Sequence, residues 1–263
     1  MIGLFLGEKD LPYEIIKKIE TKKIKYFIID LTKNNKFKKN KNSFFINIGK
    51  FGEILKIIKS KKCRKVIFAG NIIRPKISKL KLDFTGLFYI PRIVKAAKLG
   101  DAAVLKALIK ILSENNINVI RLNTFNPELT LKKGFYTKLK PSKEEKKQII
   151  KGTLTLRKIN SYNHIQGLII RDYKVISKET RKGTKEMIKS IPKSKIKKGI
   201  LIKLPKAKQD LRVDLPTIGI DTFKDCNRAG IKGIVIKSNQ NIIINKEVCI
   251  EYANQNKLFL VAI

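Results

Sequence analysis

The chain has 263 residues, 43% of them hydrophobic, which allows one large or two medium domains with a sizeable core and excludes wholesale disorder. No run approaches the roughly 20 apolar residues of a membrane helix, and the short apolar start lacks a basic leader, so the protein is expected to stay in the cytoplasm. A formal charge of +38, from 59 Lys+Arg against 21 Asp+Glu, attracts polyanions, but the lysines are spread along the whole chain and no nucleic-acid motif accompanies them, so no specific nucleic-acid partner is expected.

From the N-terminus, an apolar run over 2–6 ends at Gly7 and is followed by Leu11-Pro12 and a helical pattern to about 18. Pro12 suits the first turn of a helix, where its missing N–H costs nothing. Gly7, between strand and helix, can let a phosphate approach the helix N-terminus, with Glu8 opposing it and Lys9 favouring it. A second strand is predicted over 26–31, an exposed basic loop over 33–41 and a brief strand over 44–48. A helix over 49–59 places Phe51, Ile54, Leu55 and Ile58 on one face. The buried-strand run 65–69 ends in Gly70-Asn71, small and amide residues at a carboxyl edge where backbone N–H groups can reach a ligand; the same pair also makes a tight turn through positive φ. Residues 91–99 read as a helix, Gly100 breaks it, Asp101 caps a longer helix to about 112, and 117–120 is a further strand. Alternating strands and helices of this length predict an open, mostly parallel, Rossmann-like sheet ending near residue 133.

The polar stretch 140–147, with Pro141, makes the best boundary. The expected division is therefore 1–133 as an N-terminal Rossmann-like domain, 134–160 as linker and helix, and 161–263 as a C-terminal mixed α/β domain. The helix from 143 is predicted to run about three turns with Ile149, Ile150 and Leu154 on one side. A hairpin joins 167–170 to 173–176 around Arg171-Asp172, and Glu179 closes its second strand. Gly183 and Thr184 open a helix carrying Met187, Ile188 and Ile191; they offer N–H and hydroxyl donors to phosphate, or Thr184 is a plain N-cap. The buried strand 199–203 then feeds a loop bearing Lys206, Lys208, Gln209, Asp210, Arg212 and Asp214, which stops at Pro216. A strand end followed by a charged loop is where α/β proteins usually place chemistry. Asp214 lies between Val213 and Leu215 with Arg212 and Lys203 close in sequence, and a partly enclosed carboxylate among cations stays ionised. An anionic substrate and a divalent metal both suit it; the loop equally reads as a cap for the next helix through Thr217 or Asp221. A helix over 223–229, strands over 233–236 and 241–244, a helix over 246–254 and a strand over 258–263 complete the chain. Cys63, Cys226 and Cys249 form no CxxC pair, and His164 is the one histidine, so buried apolar thiols are expected rather than zinc or a disulfide framework.

Five stretches carry a family likeness: IGKFGEILK (48–56), VIFAGNIIRP (66–75), AAKLGDAAVLKAL (96–108), ETRKGTKEMI (179–188) and PKAKQDLRVDLPTIG (205–219). In this order, across both halves, they resemble the UDP-2,3-diacylglucosamine pyrophosphatases of bacterial lipid A synthesis, the type unrelated to calcineurin-like phosphoesterases. The resemblance implies two domains with the substrate in a cleft between them, the second being catalytic. It implies magnesium-dependent hydrolysis of the pyrophosphate bond to UMP and 2,3-diacylglucosamine 1-phosphate, with Asp214 of RxDLPTIG as the catalytic aspartate. Asp214 would serve as Mg2+ ligand or as general base. Splitting a diphosphate needs cations, a metal and a carboxylate, and Lys203, Lys206 and Arg212 supply positive charge nearby in sequence. Candidate substrate contacts are Gly7, Gly70, Asn71, Asp101, Glu179, Gly183, Thr184, Lys203, Gln209, Arg212 and Thr217, with Asp101 and Glu179 as the best second carboxylates. Two departures stand out: Gly7-Glu8-Lys9 where the family has a glycine-rich turn, and Lys185 where it has Asp. The basic surface would suit an acylated substrate drawn from an anionic inner-membrane face. The competing readings are a basic nucleotide- or nucleic-acid-binding protein without catalysis, and a degenerate family member that binds without cleaving.

Overall fold

A computed structural model describes residues 1–72, 80–163, 165–180, 182–192, 196–207 and 210–263; of Asp101 and residues 160–163 it describes the backbone alone. Arg74, Pro75, His164, Lys208 and Gln209 therefore lie outside the described residues. The chain is α/β and divides into two compact units. The first comprises Met1–Asn126 with Asp210–Asp214, the second Pro127–Gln209 with Leu215–Ile263.

The first unit begins with β1 (Ile2–Leu6), α1 (Leu11–Thr21), β2 (Tyr26–Asp30), β3 (Ser43–Phe45), α2 (Phe51–Ser60) and β4 (Lys65–Ala69). It continues with α3 (Phe84–Lys98), α4 (Asp101–Glu114), β5 (Asn118–Val119) and α5 (Leu122–Phe125). The strands form one sheet in the order β3-β2-β1-β4-β5, and every pair in it is parallel. β1 is buried along its whole length, as a strand covered on both faces must be. Phe5, Phe27, Ile29, Ile54, Ile58, Phe68 and Leu112 make one core cluster, with the Phe5 and Phe68 rings stacked 4.6 Å apart. Strand order reverses between β1 and β4, and in open sheets ligands bind beyond the carboxyl ends of the strands at such a switch point.

α3 starts seven residues before the predicted 91. Pro91 reads as a helix start in sequence but lies inside the helix, on its exposed side; the start is Asp83, whose carboxylate accepts from the Gly86 N–H. The other oxygen of Asp83 accepts from the Glu53 N–H, so one residue caps both α2 and α3. α4 is capped by Gly100, at φ +100, rather than by Asp101, which is its first residue.

The second unit contains β6 (Gly134–Phe135), α6 (Lys143–Asn163), β7 (Gly167–Arg171), β8 (Lys174–Lys178), α7 (Gly183–Lys189) and β9 (Ile200–Lys203). β10 (Thr217–Ile218), α8 (Ile220–Arg228), β11 (Gly233–Ile236), β12 (Ile242–Ile243), α9 (Lys246–Gln255) and β13 (Phe259–Ala262) follow. Its main sheet runs β6-β13-β11-β9-β7-β8. β9, β11 and β13 are parallel, and β6, β7 and β8 join antiparallel. Alternate residues feed two cores, as the pleat requires. Leu201, Ile234 and Leu260 pack with Met187, Phe223 and Ala253 from α7, α8 and α9. Ile202, Val235 and Val261 pack with Ile149 and Leu156 from α6.

Three expectations are corrected here. α6 is 21 residues long, and Ile149 and Leu156 are buried while Ile150 and Leu154 are exposed. The inward face is 149, 152, 153 and 156, because Gly152 lets the helix approach Ile202 and Ile170 closely. The hairpin turn is Asp172-Tyr173, one residue later than predicted; both have positive φ (46 and 62), the conformation that matches the twist of the flanking strands. Residues 217–218 form a strand paired with β12 rather than a helix cap, and α8 is capped by Gly219 with no side-chain bond. The cysteines are free and buried as expected, and burial pushes the Cys249 thiol up to about 12.

Candidate functional site

At the switch point of the first unit, the ends of β1 and β4 cross closely. The Gly7 N–H donates to the Ala69 carbonyl at 2.9 Å, and Glu8 and Asn71 exchange backbone bonds at 2.8 and 3.0 Å. A side chain at Gly7 would meet the Asn71 carbonyl at 2.5 Å; one at Gly70 would meet the Glu8 carbonyl at 2.7 Å, and Gly70 also holds φ +88. Close approach and a left-handed backbone are what only glycine tolerates. The positive φ of Gly70 agrees with the turn alternative; the Gly7 and Asn71 N–H groups are bonded within the crossing, while the Asn71 side chain is exposed at the edge. Glu8 does not face a phosphate site unopposed. Its carboxylate accepts from the Lys33 N–H at 2.9 Å and pairs with Lys36 at 2.5 Å. The Lys36 bond, first, and the Lys33 bond hold it below the usual carboxylate range. At the neighbouring β2 end, buried Asp30 accepts from Thr32 and from the Phe37 N–H. That residue ends a strand in Asp-Leu-Thr, an Asx-turn signal that is local in the sequence.

In the second unit, three of the predicted residues meet at the carboxyl end of β9. Lys203 and Glu179 are 5% and 6% exposed and lie 3.4 Å apart. The Thr184 hydroxyl donates to Glu179 Oε1 at 2.6 Å and accepts from Lys203 Nζ. Thr184 therefore ties α7 to the Lys–Glu pair instead of capping the helix. The Gly183 N–H, expected as a phosphate donor, is bonded to the Thr180 carbonyl at 3.0 Å. Glu179 Oε2 is buried without a hydrogen-bond partner among the described residues. Buried Asn241 braces the strand end from behind, donating to the Lys203 carbonyl at 3.1 Å and accepting from the Lys237 N–H at 2.9 Å. Nothing in the local pattern of Asn239-Gln-Asn241 marked it.

The motif stretch is divided: residues 210–214 belong with the first unit and Leu215 onward with the second. Val213 packs against the first unit's core cluster. Arg212 does not serve Asp214 as expected. Its guanidinium forms a fork on Asp210, with bonds of 2.9 and 2.7 Å, and that bond, first among the causes, holds the Asp210 carboxyl below its ordinary range. The Asp214 N–H donates to the Asp210 carbonyl at 3.2 Å, closing a turn. Its carboxylate is half-buried and makes no hydrogen bond or ion pair among the described residues. A carboxylate fixed by its own backbone but without a protein partner is available to a metal or a water.

The match to known families decides the lineage. The LpxI N-terminal domain model matches residues 1–129 and the LpxI C-terminal domain model residues 132–261. A Caulobacter vibrioides protein named UDP-2,3-diacylglucosamine pyrophosphatase LpxI is 31% identical over 226 residues, covering 83% of this chain and 81% of that one. The chain belongs to the LpxI family.

As an LpxI protein, the chain has most of its candidate residues in three local groups. Gly7, Gly70 and Asn71 share the β1–β4 edge. Glu179, Thr184 and Lys203 form a buried hydrogen-bonded cluster. Arg212 and Asp214 share one turn but not one contact. Asp101 opens α4 in the first unit, its side chain outside the described residues, as is all of Gln209. Thr217 stands on β10 with its hydroxyl on the Leu215 carbonyl at 3.1 Å.

Proposed function

We propose that the chain hydrolyses the pyrophosphate bond of UDP-2,3-diacylglucosamine, releasing UMP and 2,3-diacylglucosamine 1-phosphate in lipid A synthesis. Water attacks one phosphorus, the bond from that phosphorus to the bridging oxygen breaks, and each product leaves as a phosphomonoester. Family membership over both halves and the name of the 31% identical relative support the reaction class. The observation that carries the site is the unpartnered Asp214 carboxylate inside the RVDLPTIG motif.

Magnesium fits this donor set. Among the described residues no three His, Cys, Asp or Glu side chains gather to hold a metal by themselves. Mg2+ ordinarily takes one or two carboxylates, with substrate phosphate and water completing its shell. Asp214 would hold it, and the ion, when bound, would neutralise charge building on the phosphoryl oxygens. Lys203, oriented by Glu179 and Thr184 at the carboxyl edge of β9, would offer its ammonium to the substrate's phosphates. The surplus of lysine supports peripheral contact with an anionic membrane face, from which an acylated substrate would be drawn.

Incubation with UDP-2,3-diacylglucosamine and Mg2+ should release UMP, and EDTA should stop it. Asp214→Ala should lower release by about 10²–10⁴-fold, the span of a lost catalytic acid–base group, with an unchanged melting curve because the carboxylate supports no protein contact. Equal activity in that variant removes the assigned role. Lys185, exposed on α7 where the family has Asp, favours a second reading, binding without cleavage; tight substrate binding by a wild-type chain that never releases UMP would identify it.

A further inference from the structure

α3 is turned with an apolar face to the outside. Its inner side is firmly seated: a side chain at Gly86 would meet the Gly49 carbonyl at 2.3 Å, the Tyr89 and Phe51 rings make an edge contact at 5.7 Å, and Ile93 packs on the core of the first unit. With that side fixed, the helical period places 84, 87, 88, 91, 95 and 98 on the opposite stripe. Phe84 is 93% exposed, Phe88 74% and Leu87 54%. Pro91, Lys95 and Lys98 continue the stripe and are exposed. The first turn holds no acidic residue, and the lysines occupy the last turns. The nearby Asp83 is turned inward, both its oxygens engaged by the ends of α2 and α3.

Large exposed side chains clustered this way mark an interaction surface. Two aromatic rings and a leucine beside a pair of lysines match the division of a membrane interface, where apolar groups enter the acyl boundary and ammonium groups stay with anionic headgroups. We propose that the outer face of α3 docks this chain on an anionic lipid bilayer, through Phe84, Leu87 and Phe88 below the headgroups and Lys95 and Lys98 upon them. This deepens the peripheral contact suggested by the charge alone by naming the element responsible. Its purpose rests on the reading of an acylated substrate, but vesicle binding requires no turnover, so the two fail separately.

The test is co-sedimentation of the full chain with phosphatidylcholine vesicles, with and without phosphatidylglycerol, alongside UMP release from detergent-dispersed substrate. The wild-type chain should partition to the anionic vesicles and be released by salt. Phe84→Ser/Leu87→Ser/Phe88→Ser should weaken partitioning by about tenfold or more, given the apolar area withdrawn from water. Lys95→Glu/Lys98→Glu should weaken it comparably, whereas Lys38→Glu/Lys39→Glu, an equal charge change on an exposed loop of the same unit, should not. Turnover of dispersed substrate should be unaltered in all three. Unchanged partitioning of the folded triple variant, or equal loss from the loop variant, overturns the proposal. So does a raised KM for dispersed substrate in the triple variant, which would assign the face to the acyl chains, or conversion of a dimer to a monomer with vesicle binding intact, which would assign it to a second copy.

Discussion

Lys203 is where the stability of the fold and the proposed chemistry would meet in a single residue. Its ammonium is taken out of water at the end of β9 and matched there by Glu179 and Thr184. Removing one partner of a buried pair leaves the other charge uncompensated, which typically costs roughly 3–5 kcal/mol. Lys203→Met should therefore lower the urea midpoint clearly as well as UMP release, and adding Glu179→Gln to it should restore much of the stability but none of the activity. A midpoint insensitive to Lys203→Met would mean that the ammonium is not enclosed. Asp214 is the converse case: its carboxylate supports nothing in the fold, so its loss should be visible in turnover alone. Both residues stand out in sequence by position, one at the end of an apolar run and the other flanked by Val213 and Leu215. What Arg212 does was not readable in the same way. Its proximity to Asp214 along the chain suggested a pairing, but the turn closed by Asp210 brings positions two apart together and directs the guanidinium to Asp210. Asn241 was equally hidden, since it acts on a strand end 38 residues away.

Among the elements, buried strands and α2 were legible because their patterns are periodic and their apolar residues are the ones actually enclosed. The errors arose where small or polar residues do the packing. α6 meets the sheet through Gly152 and Thr153, which a hydrophobic count skips, and leaves Ile150 and Leu154 outside. β10 is two residues long and exists by pairing with β12, a partner that local pattern cannot supply. α3 is legible only from Pro91 onward because a proline looks like a beginning, although an outward-facing proline costs an exposed hydrogen bond and leaves the inner contacts alone. The true start depends on Asp83. Because that carboxylate caps two helices, Asp83→Ala should cost about 1–3 kcal/mol, more than the roughly 1 kcal/mol usual for one cap, while Asp83→Asn should recover most of it. A loss no larger than that of a single exposed cap, measured by denaturant titration, would argue against the shared role.

For the whole molecule, two α/β units were expected and two are found, one parallel sheet with a reversal of strand order and one mixed sheet. What could not be foreseen is that the motif segment 210–214 is counted with the first unit although it is encoded late in the chain. Pattern reading follows the chain outward from each residue; it has no means of sending five residues back across a unit. Val213 is the anchor of this arrangement, packed on the first core, and Asp214 follows it directly. Val213→Ala should thus misplace the neighbouring carboxylate, reducing kcat several-fold at little cost in melting temperature and with KM nearly constant. A proportionate fall in both stability and activity would show that Val213 is only a filler of the core.

The same excursion limits how this protein can be recombined. A chimera joined once near residue 130 would take its first unit from one parent and residues 210–214 from the other, so a foreign valine would have to fit a core it did not evolve with. Neither half is a cassette that can be inherited cleanly; the five-residue insert would have to travel with the half to which it folds.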